Sequence, residues 1–186
     1  MIYNDGLESK RLTTRFLNEN DIQPWCEYFT DPDNCRFLPL PDVSSIEEKA
    51  SIMVNYAINR YKNNTLGLQA LITKDTGELA GMCGLLVQEI NGNMEIEVGY
   101  HLLKRFWGKG YATEAAQMFR DYGFNNSDTP TIISIINPLN EPSKKVARRN
   151  GMQLRGQNIA FRNSNYDVFA ITREDWQNIR STASQT

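Results

Sequence analysis

Arg105-Phe106-Trp107-Gly108-Lys109-Gly110-Tyr111-Ala112-Thr113-Glu114-Ala115 is the stretch on which the reading of this chain turns. Before it, Met94 to Leu103 alternates as a strand does. After it, Ala112, Ala115, Ala116 and Phe119 form the buried stripe of a helix from Tyr111 to Tyr122, which Gly123 is expected to end. Two glycines two apart let the backbone turn tightly, with no Cβ to hold a ligand off. The N–H groups of that turn and of the first helical turn lack intrahelical acceptors and share the positive end of the helix dipole. A strand, such a turn and a helix together make a site for a phosphate or pyrophosphate. Arg105 and Lys109 add full positive charge beside it.

Gly-x-Gly by itself is also compatible with a plain loop. A P-loop requires Gly-x-x-x-x-Gly-Lys-Ser/Thr, a string this chain lacks. A dinucleotide fingerprint requires a third glycine early in a βαβ unit, but Thr113 stands at that position and the motif lies past mid-chain. The third reading is the coenzyme A site of an acetyltransferase, and other segments support it.

Ile96-Glu97-Val98-Gly99-Tyr100-His101-Leu102-Leu103, followed by Trp107 to Ala115, resembles the GNAT superfamily of N-acetyltransferases. Within it the chain is similar to the branch of ribosomal-protein N-terminal (alanine/serine) acetyltransferases. Asn137-Pro138-Leu139-Asn140-Glu141-Pro142-Ser143, Val146 and Asn150-Gly151-Met152 match the second family block, and Ser9 to Arg15 resembles the first strand of this branch. The resemblance spans about residues 8–175 and implies a single domain over 1–186. It implies a mixed α/β fold of the GNAT type. One central mixed sheet of about six or seven strands would carry helices on both faces, with a splay between the fourth and fifth strands.

Composition agrees. The chain has 186 residues, 40% apolar and 23% charged, with a net charge of −2, ordinary values for a globular domain. With no broad basic field, nucleic acid is not an expected partner. Cys26, Cys35 and Cys83 are odd in number and form no Cys-x-x-Cys pair, and there is one histidine, so no metal is expected. The cysteines read as reduced thiols, Cys83 as a small core residue. Met1 to Lys10 is too polar for a signal peptide and no stretch is apolar enough to span a bilayer, so a cytoplasmic protein without a membrane partner is expected.

Along the chain, Leu12, Thr14 and Phe16 alternate as a strand, and Asn18 to Phe29 reads as a helix stopped by Asp31-Pro32. Phe37 to Val43 is a proline-bearing loop. Ser44-Ser45-Ile46-Glu47 forms a capping box for a helix to about Lys62. Leu66 to Ile72, Leu79 to Val87 and Thr131 to Ile136 read as strands, with Asn91-Gly92-Asn93 as a hairpin turn. Pro142 opens a short helix closed by Asn150-Gly151. Leu154 to Phe161 and Tyr166 to Ile171 pair around Asn163-Ser164-Asn165. Arg173 to Arg180 is the last helix, and residues 181–186 are expected to be frayed.

The resemblance implies acetyl-CoA as co-substrate, with Leu102 and Leu103 offering backbone groups to the pantetheine arm. Arg105, Trp107, Gly108, Lys109, Gly110, Tyr111, Ala112 and Thr113 would form the pyrophosphate site, and Asn140 would hold the arm from the second strand. The acceptor would be a primary amine, a protein N-terminus or a small molecule, and a homodimer is an admissible assembly. A non-catalytic acyl-CoA sensor is the reading from another class. Glu97, Gly99 and His101 share one strand face, and Glu97 is the candidate base, against the alternative of a solvated carboxylate. His101 reads as a lining residue or a base. Ser143 is a candidate for protonating the departing thiol, or a helix cap; the tyrosine usual four residues before the closing glycine is replaced by Ala147. Lys104 stands where relatives often carry proline and is expected to put charge by the phosphates. Arg148 and Arg149 read as solvent-facing, with the adenosine phosphate as the alternative, and Trp107 and Tyr100 as packing residues, with a cage for a cation as the alternative.

Overall fold

The structure, a computed structural model, describes residues 3–38, 43 and 45–183. The strands are β1 Leu12–Arg15, β2 Leu68–Thr73, β3 Leu79–Ile90, β4 Asn93–Leu102, β5 Thr131–Ile136, β6 Gln153–Phe161 and β7 Ser164–Thr172. The helices are α1 Ile22–Thr30, α2 Pro32–Cys35, α3 Ile46–Lys62, α4 Tyr111–Asn125, α5 Glu141–Arg149 and α6 Arg173–Ala183. The strands form one sheet in the order β1-β2-β3-β4-β5-β7-β6. All neighbours are antiparallel except β4 and β5, which are parallel.

That parallel pair keeps register at only Ile96↔Ile132 and Glu97↔Ile133. Both strands continue past those pairs, β4 to Leu102 and β5 to Ile136, so the sheet opens into a splay toward their C-terminal ends. β4 stays paired with β3 along its whole length, placing Glu97 and Gly99 opposite Leu86 and Gly84. Antiparallel pairing and strand period two put these side chains on one face and Val98, Tyr100 and Leu102 on the other. Tyr28 of α1 reaches His101, so the first face lies under α1. α4 covers the other face with Ala115, Ala116 and Phe119, all fully buried, as their helical spacing requires; Ala112 is only half-buried.

Several local expectations shift. Gly123 does not end α4, which runs to Asn125. A Cβ at Gly123 would lie 2.7 Å from Ile132 Cδ1, so the missing side chain lets the helix approach the sheet. Asn18 caps a turn of tight helix over Glu19–Asp21, and α1 follows from Ile22. Asp31-Pro32 both ends α1 and starts α2, because the Asp31 side chain accepts the Asp33 N–H and proline suits a first helical turn. α3 is capped by Ser45, whose hydroxyl accepts the Glu48 N–H, one residue later than the expected box; Ser44 and residues 39–42 of the expected loop lie outside the described residues. The last hairpin turns at Arg162-Asn163, since Phe161 pairs with Ser164. α6 continues to Ala183, so residues 181–183 are helical, not frayed; residues 184–186 lie outside the described residues.

Candidate active site

The splay is held open by side chains that stand in for ladder bonds. Glu97 Oε1 accepts the Ile135 N–H at 3.4 Å, and Ser134 Oγ donates to the Val98 carbonyl at 2.9 Å. Glu97 Oε2 accepts from Gln88 Nε2 at 2.7 Å. The carboxyl is 9% exposed, so it is not the solvated strand-face carboxylate of the alternative reading. Burial raises its pKa above the ordinary carboxylate value, while the bonds from Gln88 and Ile135 and the charges of Arg162 and Arg60 oppose the rise. A carboxylate so placed can accept a proton from a group entering the splay.

From the apex the β4 backbone leads to the glycine turn. The antiparallel ladder with β3 leaves the backbone groups of Val98, Tyr100 and Leu102 directed toward β5, where no strand now meets them beyond Ser134. Leu103 differs from Leu102: its N–H bonds to the Ala80 carbonyl and its own carbonyl accepts the Phe106 N–H. Trp107 Nε1 donates to the Leu102 carbonyl at 2.9 Å and so packs the loop to the strand end. Gly108 and Gly110 have φ of 72° and 84°, the left-handed region that favours glycine, and a Cβ at Gly108 would meet nothing within 4 Å. α4 starts at Tyr111, and its first intrahelical acceptor bond is Glu114 N to Gly110 O at 3.1 Å. The N–H groups of Tyr111, Ala112 and Thr113 therefore face the mouth of the turn without helical acceptors. Space, unpaired donors and helix dipole together fit a diphosphate.

The charges there are arranged differently from expectation. Arg105 pairs with Glu27 and Glu78, and Lys104 pairs with Asp31 and Asp33 at 2.7 and 2.9 Å. Both cations pair with acids of α1, α2 and the β2–β3 turn. Lys109 remains, with Nζ over the Phe106 ring. Arg11 clamps the loop: Nη1 donates to the Lys109 carbonyl, and Nε and the backbone N–H bond Glu114.

Across the splay, α5 is capped by Asn140, whose Oδ1 accepts the Ser143 N–H at 3.1 Å. The cap is thus Asn140, not Ser143. Ser143 is tied to β4 through its carbonyl, which accepts the Tyr100 hydroxyl at 3.0 Å, and among the described residues no protein group bonds its own hydroxyl. Arg148 and Arg149 are exposed, with Arg148 over the Phe169 ring.

On the Glu97 face, His101 Nδ1 lies 3.1 Å from the Tyr28 hydroxyl, which also reaches the Asn34 carbonyl at 2.7 Å. The carbonyl can only accept, so it takes the single Tyr28 proton. His101 Nδ1 must then carry the proton it offers to Tyr28, leaving Nε2 as the acceptor nitrogen. Desolvation pushes the His101 pKa down to about 4, which keeps the ring neutral.

Sequence reasoning did not single out Ser134, Gln88 or the Arg11–Glu114 clamp. The last joins residues 103 apart in the chain, and no local pattern signals such a contact.

The chain matches the family model described as an acetyltransferase (GNAT) domain over residues 11–153. It is 32% identical over 156 residues to the uncharacterized N-acetyltransferase p20 of Bacillus licheniformis, covering 82% of this chain and 84% of that one. The crystal structure of a GNAT-family acetyltransferase from Bacillus anthracis aligns with a TM-score of 0.72 at 26% identity, covering 90% of this chain and 98% of that one. RimL, a ribosomal L7/L12 alpha-N-protein acetyltransferase solved in complex with coenzyme A, shares the fold with a TM-score of 0.70 at 21% identity, covering 88% and 95%.

Proposed function

The chain belongs to the acetyltransferase (GNAT) family, and we propose that it moves the acetyl group of acetyl-CoA directly to a primary amine held in the same complex. The observation that carries this reading is the buried Glu97 at the apex of a splay whose other end opens onto the glycine turn. In this proposal the turn from Gly108 through Thr113 holds the diphosphate, and the β4 backbone at Tyr100, with the N–H of Leu102 whose carbonyl Trp107 already holds, meets the pantetheine arm. Leu103, with both backbone groups engaged, contributes packing only, and Asn140 contributes through the side-chain nitrogen its cap leaves over.

The chemistry follows from charge. An ammonium has no lone pair, so a proton must leave before attack, and Glu97 accepts it directly or through water. The amine nitrogen then attacks the thioester carbonyl carbon. The C–N bond forms, negative charge gathers on the oxygen, and backbone donors in the splay stabilise it. The C–S bond breaks as the attacking nitrogen gives up its remaining extra proton, and the thiolate takes up one proton in its place, which the uncommitted Ser143 hydroxyl would pass or steer. Holding both substrates in one cleft supplies much of the acceleration.

The test is release of free CoA with a panel of primary amines, alongside calorimetry with acetyl-CoA. Amine-dependent release that drops in Glu97→Gln supports the reading. Tight acetyl-CoA binding with no turnover across the panel favours a sensor, and absence of binding overturns the assignment.

A further inference from the structure

We propose that the acceptor is a small primary amine that also carries an oxyanion, a carboxylate or phosphate, and that Arg162 receives this anion while Glu97 receives the amine. This rests on the acetyl-transfer reading above and narrows its substrate class.

Four observations converge on Arg162. It is the first residue of the two-residue turn between β6 and β7, with φ of 54°. Two-residue hairpin turns prefer glycine, asparagine or aspartate at positive φ, so an arginine there is held at a conformational cost. Its guanidinium lies over the Phe161 ring, 5.1 Å from the centroid, and among the described residues no carboxylate pairs with it. Arg11, Arg15, Arg105, Arg120 and Arg155 each pair with an aspartate or glutamate; among the described residues Arg36, Arg60, Arg148, Arg149 and Arg173 do not, but none of them lines the cleft beside Arg162. Arg162 also lines an open cleft of about 620 Å³ between the β5–α5 loop and the hairpin tip, together with Asn137, Asn163, Ser164 and Asn165. None of the residues lining that cleft is acidic. A guanidinium among neutral hydrogen-bonding groups is a receptor for a carboxylate or phosphate. Finally, Asn137 of the cleft lies two residues past Ile135, whose N–H bonds Glu97, so the cleft adjoins the end of β5 that holds the candidate base, and the Arg162 charge favours the carboxylate form there.

A substrate with an ammonium at one end and an anion at the other suits this pair. The ammonium goes to the carboxylate at the apex and the anion to the hairpin. A peptide N-terminus presents an uncharged amide where such an acid would sit and leaves the guanidinium without its partner.

The experiment measures kcat/KM for CoA release, at saturating acetyl-CoA, with matched pairs: glycine and other small amino acids against their amides, phosphoethanolamine against ethanolamine, and a short peptide amide. The expected result is a preference of about tenfold or more for the anionic member of at least one pair, the size of one charge-assisted hydrogen bond. The pair that shows it tells carboxylate from phosphate. In Arg162→Gln and Arg162→Gly the ratio should fall to within about twofold. Arg162→Gly also relieves the turn, so its Tm should equal or exceed the parent value and loss of preference cannot be laid to unfolding. A ratio near one in the parent protein, an unchanged ratio in Arg162→Gly, or the peptide amide as best acceptor overturns the inference while leaving acetyl transfer intact. Bound acetyl-CoA with no amine turned over sinks the transfer reading, and the inference falls with it.

Discussion

Glu97 Oε1 accepts the backbone N–H of Ile135 at 3.4 Å, at the point where β4 and β5 stop pairing. A side-chain carboxylate takes the place of a strand carbonyl and leaves the two strands apart. The same contact buries the carboxyl and holds it in one orientation. Structural and chemical roles therefore meet in one residue, and changes to it report on both.

Glu97→Gln should lower kcat/KM for the amine by about 10²–10⁴-fold, the usual contribution of a positioned base. In the parent protein kcat/KM should fall on the acid side with an apparent pKa above the ordinary 4.5, because burial raises the Glu97 value. That limb should vanish in the variant. Stability follows with the opposite sign: a raised carboxyl pKa means the ionised form is disfavoured in the fold, so its contribution is full below pH 4.5 and is lost as pH rises through the raised value. Urea melts at pH 5 and 8 should show Glu97→Gln losing less stability between them than the parent does.

His101 makes a separate pH prediction. Its pKa is about 4 in the fold against 6.5 in the unfolded chain, so the unfolded state binds more protons between these values. Stability from this group is present above pH 6.5 and is lost as pH falls through 4. The loss should be at most about 3 kcal/mol, less to the extent that water reaches the half-buried ring. His101→Asn keeps an N–H donor for Tyr28 and should flatten that part of the pH–stability curve. An equal slope in parent and variant would show that another group carries it.

Two glycine substitutions separate binding from packing. Gly110→Ala places a Cβ at φ 84° and 3.3 Å from Arg11 Nη2, which should cost about 1 kcal/mol of stability and weaken acetyl-CoA affinity by about tenfold or more. Gly123→Ala drives a Cβ to 2.7 Å from Ile132 Cδ1 and 3.3 Å from Leu85 Cδ1. It should lose about 1–3 kcal/mol despite alanine's better helix propensity, because overpacking outweighs it. Thermal melts and calorimetry on both variants check the contrast.

Glu114→Ala cuts bonds to the Ser9 hydroxyl and to the backbone and side chain of Arg11. Burial works against the Glu114 charge, yet those bonds hold its pKa below the ordinary value. Loss of the side chain should cost about 1–3 kcal/mol and free Arg11 from the Lys109 loop. Hydrogen exchange at residues 9–12 and 108–111 should rise together, and independent behaviour of the two segments would break the proposed clamp.

Much of the architecture was legible because its causes are local. Alternation marked β4, the stripe Ala115, Ala116 and Phe119 marked α4, and Asn91-Gly92 marked the tight hairpin, where φ is 50° and 79°. The glycine turn was legible for the same reason, since only its own residues set its backbone. Misreadings came where a local signal met a distant partner. Gly123 looked like a stop, but it is where helix and sheet come nearest. Arg105 and Lys104 read as charges beside the phosphates, and their pairing with acids far along the chain was not legible.

From sequence alone came the family pattern, the order of elements and the position of the glycine turn, because each depends on neighbours within a few residues. The tertiary structure decided that Glu97 is buried against Ile135, that His101 carries its proton on Nδ1, and that Arg162 stands without a carboxylate beside an open cleft. Desolvation, hydrogen-bond direction and ion pairing depend on groups that only folding brings within reach, and no spacing along the chain encodes them.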